Sequence, residues 1–361
     1  MGKARNYGID LLRIIATFMI IVLHILGVGG IIYTIDASHP VYITAWGLEF
    51  AAYCAVNCYA LISGYVGLYS KSRISNLLQL WIQVMLTTVA ITCFMYFFGV
   101  EVTVEDFKEA FTPITSQLYW YFTAYVCLSL STPFLNLFVL NLNKRMSKYL
   151  LVIFAILFSV MPIFWEADLF QLNWGYSAAW LVVLYIVGAI IRKYYTEIQI
   201  KKRLLFAGYL VAVILTLLSK IGIEFLTGKY ALAMWGSNFL MNYNSPTMVM
   251  AGVCLLLLFA KLELKKMVRP IAFFAPFTFG VYIIHSHPII WDKVMTNGFT
   301  RFTDLTPLLL VLNVLATATA IFMLCSLIEF VRIKMFKILH ISEYCKFVER
   351  KIQLWCARSG Q

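Results

Sequence analysis

The sequence predicts an all-α protein, a polytopic membrane bundle of about ten transmembrane helices with both termini cytoplasmic. Three observations predict it. Hydrophobic residues are 62% of the 361-residue chain and charged residues only 13%, more apolar surface than a soluble chain of this length can hide. Apolar runs long enough to cross a bilayer recur from end to end, and in lipid such runs must be helices, because no water is present to satisfy an open backbone. The basic residues are also segregated. With the N-terminus inside, 24 of the 29 Lys and Arg fall on the cytoplasmic side, as the positive-inside rule requires. Acidic residues show the opposite bias, with Glu101, Glu105, Asp106, Glu109, Glu166 and Asp168 outside. The formal charge of +12 is thus a topology signal rather than a nucleic-acid footprint, although a basic rim also attracts anionic lipids or a polyanionic substrate.

The ten expected spans are 9–32, 41–69, 77–98, 117–140, 149–165, 176–191, 204–222, 240–260, 271–291 and 307–330. The first follows a short basic stretch but is too long for a signal peptide and is read as an uncleaved helix. It carries Asp10, Arg13, Thr17, His24 and Gly27 on one broad face. Arg13 and His24 are eleven residues apart, about three helical turns, which separates them by ~16 Å along one side. Arg13 alone would serve as an interfacial anchor that snorkels to the headgroups, paired with Asp10. His24 lies near mid-membrane, where an ionisable group needs a polar partner or a function.

The second span has Glu49, Tyr53 and Asn57 four residues apart, then Ser63–Gly64–Tyr65. Ser63 and Gly64 suit close helix packing, whereas Glu49, towards the outer face, could bind a polar acceptor. Lys71 and Arg73 follow at the inner edge as anchors or phosphate ligands. In the third span Gln79, Gln83 and Thr87, and in the fourth Ser129, Thr132, Pro133 and Asn136, read as interhelical hydrogen-bond glue. Spans five and six are short, so they are tilted, broken or extended. Tyr119, Trp120, Tyr121, Trp165, Trp174, Tyr176, Trp180 and Trp235 fall near outer ends. That is the place of a membrane aromatic belt, and some of these rings also suit the C–H faces of sugars. The ninth span contains His285 and His287 before Pro288, and His285 could face His24. After the tenth comes a basic tail, so the domains are taken as 1–335, membrane-embedded, and 336–361, a cytoplasmic tail. No appended soluble domain is expected. The eight cysteines lie in spans or tail, which suggests neither a disulfide framework nor a metal site.

The pattern resembles the acyltransferase-3 family of integral membrane acyltransferases. The resemblance rests on GIDLLRIIATFMIIVLH in the first span, LISGYVGLYSK at 61–71, LYWYFTAYVCLSLSTPFLN at 118–136 and FGVYIIH at 279–285. Of these the first, an Arg followed by ten residues and a His, is the most specific. The resemblance implies transfer of an acyl group, usually acetyl, from cytoplasmic acyl-CoA to an extracytoplasmic hydroxyl, often on a cell-surface carbohydrate or lipid-linked glycan. Arg13 and His24 match the family's functional pair. The expected roles are then a catalytic His24, a donor site of Arg13, Lys71 and Arg73, and supporting positions at Asp10, Glu49, Asn57, Ser63 and His285. No permanently bound cofactor is expected, acetyl-CoA being a substrate, and the expected setting is the plasma membrane among its lipids. A transporter of glycans or lipid-linked sugars is the alternative. It is disfavoured by the Arg–His pair and by the lack of the internal symmetry common in transporters.

Overall fold

The computed structural model describes residues 5–71, 73–165, 168–230 and 240–359. Glu166 and Trp235 lie outside them. A helix forms over every expected span: α1 (Tyr7–Leu26), α2 (Tyr42–Gly67), α3 (Ile74–Phe97), α5 (Trp120–Asn141), α6 (Lys144–Phe164), α7 (Ala178–Lys193), α8 (Lys202–Tyr230), α9 (Pro246–Ala260), α10 (Val268–His285) and α11 (Pro307–Ile338). Besides short helical turns in the loops, there are a short amphipathic α4 (Val104–Phe111), opened by a Thr103–Asp106 capping box, and the tail helix α12 (Ile341–Ser359). Among the described residues there is no strand.

Eight of the helices are long and apolar enough to cross a membrane. The expected count of ten full spans therefore divides, because α7 has 16 residues and α9 has 15, or ~24 and ~22 Å of helix. Neither needs full length in lipid, since both are largely wrapped by other helices, and protein can shield what lipid cannot. Packing between α2 and α7 shows how close these backbones come. A Cβ on Gly64 would lie 1.9 Å from the Tyr185 carbonyl oxygen, and one on Gly188 would lie 2.1 Å from that of Leu61. Only glycine permits either approach.

Several spans are broken rather than straight. The α2 helix is interrupted at Cys54, α6 has π-helical geometry over Ala155–Val160, and α10 tightens to a 3-10 turn at Ala275–Phe277, around Pro276. The α11 helix runs past the expected domain boundary to Ile338 before α12 begins at Ile341.

The α1 helix sits between two apolar cores. With the N-terminal end taken as inner, as the charge pattern leads one to expect, its inner half packs with the second part of α2, α7 and α9. Its outer half packs with the first part of α2, α10 and α11. Its start is fixed by Asn6, whose side chain accepts from the amides of Gly8 and Ile9 and donates to the Ala260 carbonyl at 3.1 Å. Basic side chains tie neighbouring chain segments together at this same end. Lys261 donates to the carbonyls of Ile198 and Ile200, Lys193 to those of Val139, Leu140 and Leu142, and Arg192 to the Tyr65 hydroxyl. The expected inner loops thus gather at one end of the bundle. At the other end the chain after α1 is stitched to a later loop, with the amides of Asn297 and Phe299 donating to the carbonyls of Val28 and Gly29. Gly30 has φ +85° there and lies against Asn297, a conformation and a clearance that favour glycine.

Candidate active site

The polar face of α1 lines two cavities. The outer one, of about 860 Å³, is lined by His24 and Glu49, and by rings that include Tyr53, Tyr121, Tyr176 and Tyr243. The inner one, of about 620 Å³, is lined by Lys71 and Arg73, and by Ser129, Thr132 and Asn136 of α5. Arg13, Ser63, Leu80 and Tyr125 line both, so the cavities meet beside Arg13. The pair expected from eleven-residue spacing therefore lines two adjoining cavities, with Arg13 on their shared wall and His24 in the outer one.

Each member of the pair is held by named partners. Asp10, buried at the start of α1, accepts from Arg13 Nη1 at 3.0 Å with one oxygen and from Arg5 Nε at 2.5 Å with the other. Asp10 is thus a clamp for Arg13. One turn on, Thr17 donates to the Arg13 carbonyl at 2.9 Å and also bonds the Tyr59 hydroxyl, which closes the α1–α2 contact.

His24 and His285 do meet. Nδ1 of His24 is 3.0 Å from Nε2 of His285, and Nδ1 of His285 is 2.6 Å from the Val281 carbonyl oxygen. A carbonyl only accepts, so His285 carries its proton on Nδ1. In a neutral ring Nε2 of His285 is then a lone pair, and Nδ1 of His24 donates to it. That leaves Nε2 of His24 as the unprotonated nitrogen of the pair. Trp291 packs edge-on against His24 with ring centroids 4.6 Å apart and completes its seat.

The other expected residues separate into lining and strut. Ser63 lines both cavities while donating to the Tyr59 carbonyl at 2.9 Å. Lys71 and Arg73 are exposed at the inner mouth. Asn57 is fully buried between helices, donating to the Tyr243 carbonyl at 2.7 Å and accepting from Trp180 Nε1 at 3.1 Å. It holds α2, α7 and the loop before α9 together. The α3 stripe is glue in part, since Gln83 donates to Glu329 of α11 at 3.0 Å. On α5, Asn136 combines both roles, lining the inner cavity while donating to the Gly67 carbonyl and accepting from the Tyr185 hydroxyl. Of the outer aromatics, Trp120, Tyr121 and Tyr176 line the outer cavity rather than a lipid belt, and Trp180 is buried on Asn57. Tyr243, Tyr282 and Trp291 also line it. Their positions, one in a loop and two flanking His285, carried no periodic signal that separated them from ordinary apolar residues.

The model of the acyltransferase-3 domain, described as an acyltransferase domain, matches residues 6–327. The chain belongs to the acyltransferase-3 family. No curated protein and no solved structure matches it. The matched region contains every residue named above in the two cavities and leaves out α12. Family and helices together make the protein a membrane acyltransferase.

Proposed function

We propose that this acyltransferase takes an acyl group, acetyl in the simplest case, from cytoplasmic acyl-CoA. It delivers the group to a hydroxyl of an extracytoplasmic acceptor, a cell-surface carbohydrate or lipid-linked glycan, across the plasma membrane. The observation that carries the reading is the pair of cavities adjoining at Arg13, the inner one basic and the outer one holding His24. The positive-inside count puts the basic mouth on the side where CoA is made. There Arg13, Lys71 and Arg73 supply charge-assisted donors for the nucleotide phosphates. The thin pantetheine arm follows α1 over the ~16 Å to His24 and brings the thioester into the outer chamber.

In the transfer step the acceptor hydroxyl gives its proton to Nε2 of His24 as its oxygen attacks the thioester carbonyl. The C–O bond forms, the C–S bond breaks, and the departing thiolate takes the proton back from His24 as free CoA. His285 orients the ring and stabilises the transient imidazolium by accepting from Nδ1. Donor and acceptor reach one histidine from opposite ends, which suits direct transfer through a ternary complex rather than an acyl-histidine relay.

The test is turnover of radiolabelled acetyl-CoA by the purified full-length protein in detergent, with water standing in for the acceptor hydroxyl in the outer cavity. The expected result is release of CoA and loss of that turnover in His24→Ala, with CoA still raising the unfolding temperature of both proteins. Absence of turnover by the folded wild type, or full turnover by His24→Ala, overturns the reading.

A further inference from the structure

The outer cavity holds one buried polar group that the transfer step leaves unused. Glu49 is only 6% exposed and lines this cavity. Its Oε2 is buried without a hydrogen-bond partner. Buried carboxyl oxygens are nearly always satisfied, and an orphan at membrane depth calls for a ligand that donates to it.

The surroundings of Glu49 define that ligand. Tyr53 stands one turn further along α2, with its ring 4.8 Å from that of Tyr243 between centroids. Tyr243 is 4.6 Å from Tyr176, and Tyr176 is 4.9 Å from Trp120. The contacts continue through Tyr121 to Tyr282 at 6.2 Å, and Tyr282 meets His285 at 6.4 Å. An unbroken aromatic wall therefore leads from beside Glu49 to the histidine pair. Among the described residues lining this cavity, Arg13, at the inner junction, is the one Lys or Arg, and Glu49 is the one Asp or Glu. Among the described residues, the outer end has aromatic faces and a hydrogen-bond acceptor but no cation to neutralise an anion.

We infer that Glu49, Tyr53, Tyr176 and Tyr243 form the acceptor subsite, and that it selects an uncharged, hydroxyl-bearing ring such as a neutral sugar over one with a carboxylate or phosphate. This inference rests on the transfer reading given above. A sugar ring lays its C–H face on the tyrosines and donates a hydroxyl to Glu49. An anionic ring in the same place faces the Glu49 carboxyl group and finds no counter-charge in a low-dielectric chamber, where burial of an unpaired charge is strongly unfavourable. Glu49 binds the ring at a distance from the hydroxyl that reacts, so it is a specificity residue and not a proton carrier.

The experiment uses the full-length protein in detergent, labelled acetyl-CoA, and two probes of equal length, the N-acetylglucosamine tetramer and the galacturonate tetramer. The expected result is label on the neutral tetramer with little on the acidic one. Glu49→Gln should raise the KM for the neutral tetramer at least tenfold and narrow the preference between the two, while CoA still raises its unfolding temperature as in wild type. Label mainly on galacturonate, on neither tetramer despite acetyl-CoA turnover, or an unchanged preference in Glu49→Gln overturns the inference. Failure of the underlying transfer reading looks different, because the folded wild type then turns over no acetyl-CoA at all.

Discussion

Removing His285 tests how the histidine pair works. In His285→Ala the acceptor that holds the proton on Nδ1 of His24, now at 3.0 Å, is gone. A neutral–neutral hydrogen bond is worth about 0.5–1.5 kcal/mol net. Losing that bias lets the ring take its other tautomer and reduces the competent fraction by up to about tenfold, since about 1.4 kcal/mol corresponds to a factor of ten. The ring also loses its orientation, and misplacement of about 1 Å can cost up to about a hundredfold. Either loss acting alone predicts a fall in kcat of about 10–100-fold, close to the effect of removing an orienting partner from a ligating histidine. His285→Gln keeps an oxygen able to accept from Nδ1 and should recover part of the loss. The assay is acetyl transfer at saturating donor, with the CoA-induced rise in unfolding temperature as control for folding and donor binding. A folded His285→Ala enzyme with undiminished kcat refutes the orienting role, as does a His285→Gln enzyme no better than alanine.

Other perturbations read other parts of the account. Arg13→Ala should raise the apparent KM for acyl-CoA by about tenfold or more, since a hydrogen bond to a charged group contributes about 1.5–3 kcal/mol; an unchanged donor KM removes Arg13 from the phosphate role. Arg73→Glu, at an exposed position, should raise the same KM by a smaller, salt-sensitive factor because solvent ions screen surface charges; a change in acceptor KM alone counts against the inner mouth as donor entry. Gly188→Ala forces a Cβ to within 2.1 Å of the Leu61 carbonyl oxygen and should cost about 1–3 kcal/mol, read as a lower unfolding temperature in detergent; no shift contradicts the tight α2–α7 contact.

Much of the fold was legible because lipid narrows the choices. Ten apolar runs could only be helices, and each formed one. Length misled at α9, where sequence read a full span over 240–260 and the fold uses a short helix sheathed by others; at α7 the run was already short in the sequence. Nothing local distinguishes a run that must face lipid from one that packs against glycine on both sides. The Arg13–His24 relation was legible since both lie on one helix, where spacing sets geometry. Relations between helices were not. Sequence offered Glu49, Asn57 and His285 alike as supporting positions, yet tertiary packing puts His285 on Nδ1 of His24, leaves Oε2 of Glu49 in the same cavity without a hydrogen bond, and takes Asn57 out of the lining to join Trp180 and Tyr243. The aromatic residues show the same limit. Trp120 and Tyr176 had the positions of a lipid belt, and only the folded chain turns them inward onto the cavity.

The central claim is that His24, in the outer of the two cavities, carries the proton in acyl transfer. Its most direct measurement is single-turnover acetyl transfer from acetyl-CoA by purified wild-type and His24→Ala proteins of matched folding and matched CoA binding. The account predicts product from wild type and none above the uncatalysed background from the variant. Product formation by His24→Ala at the wild-type rate contradicts it.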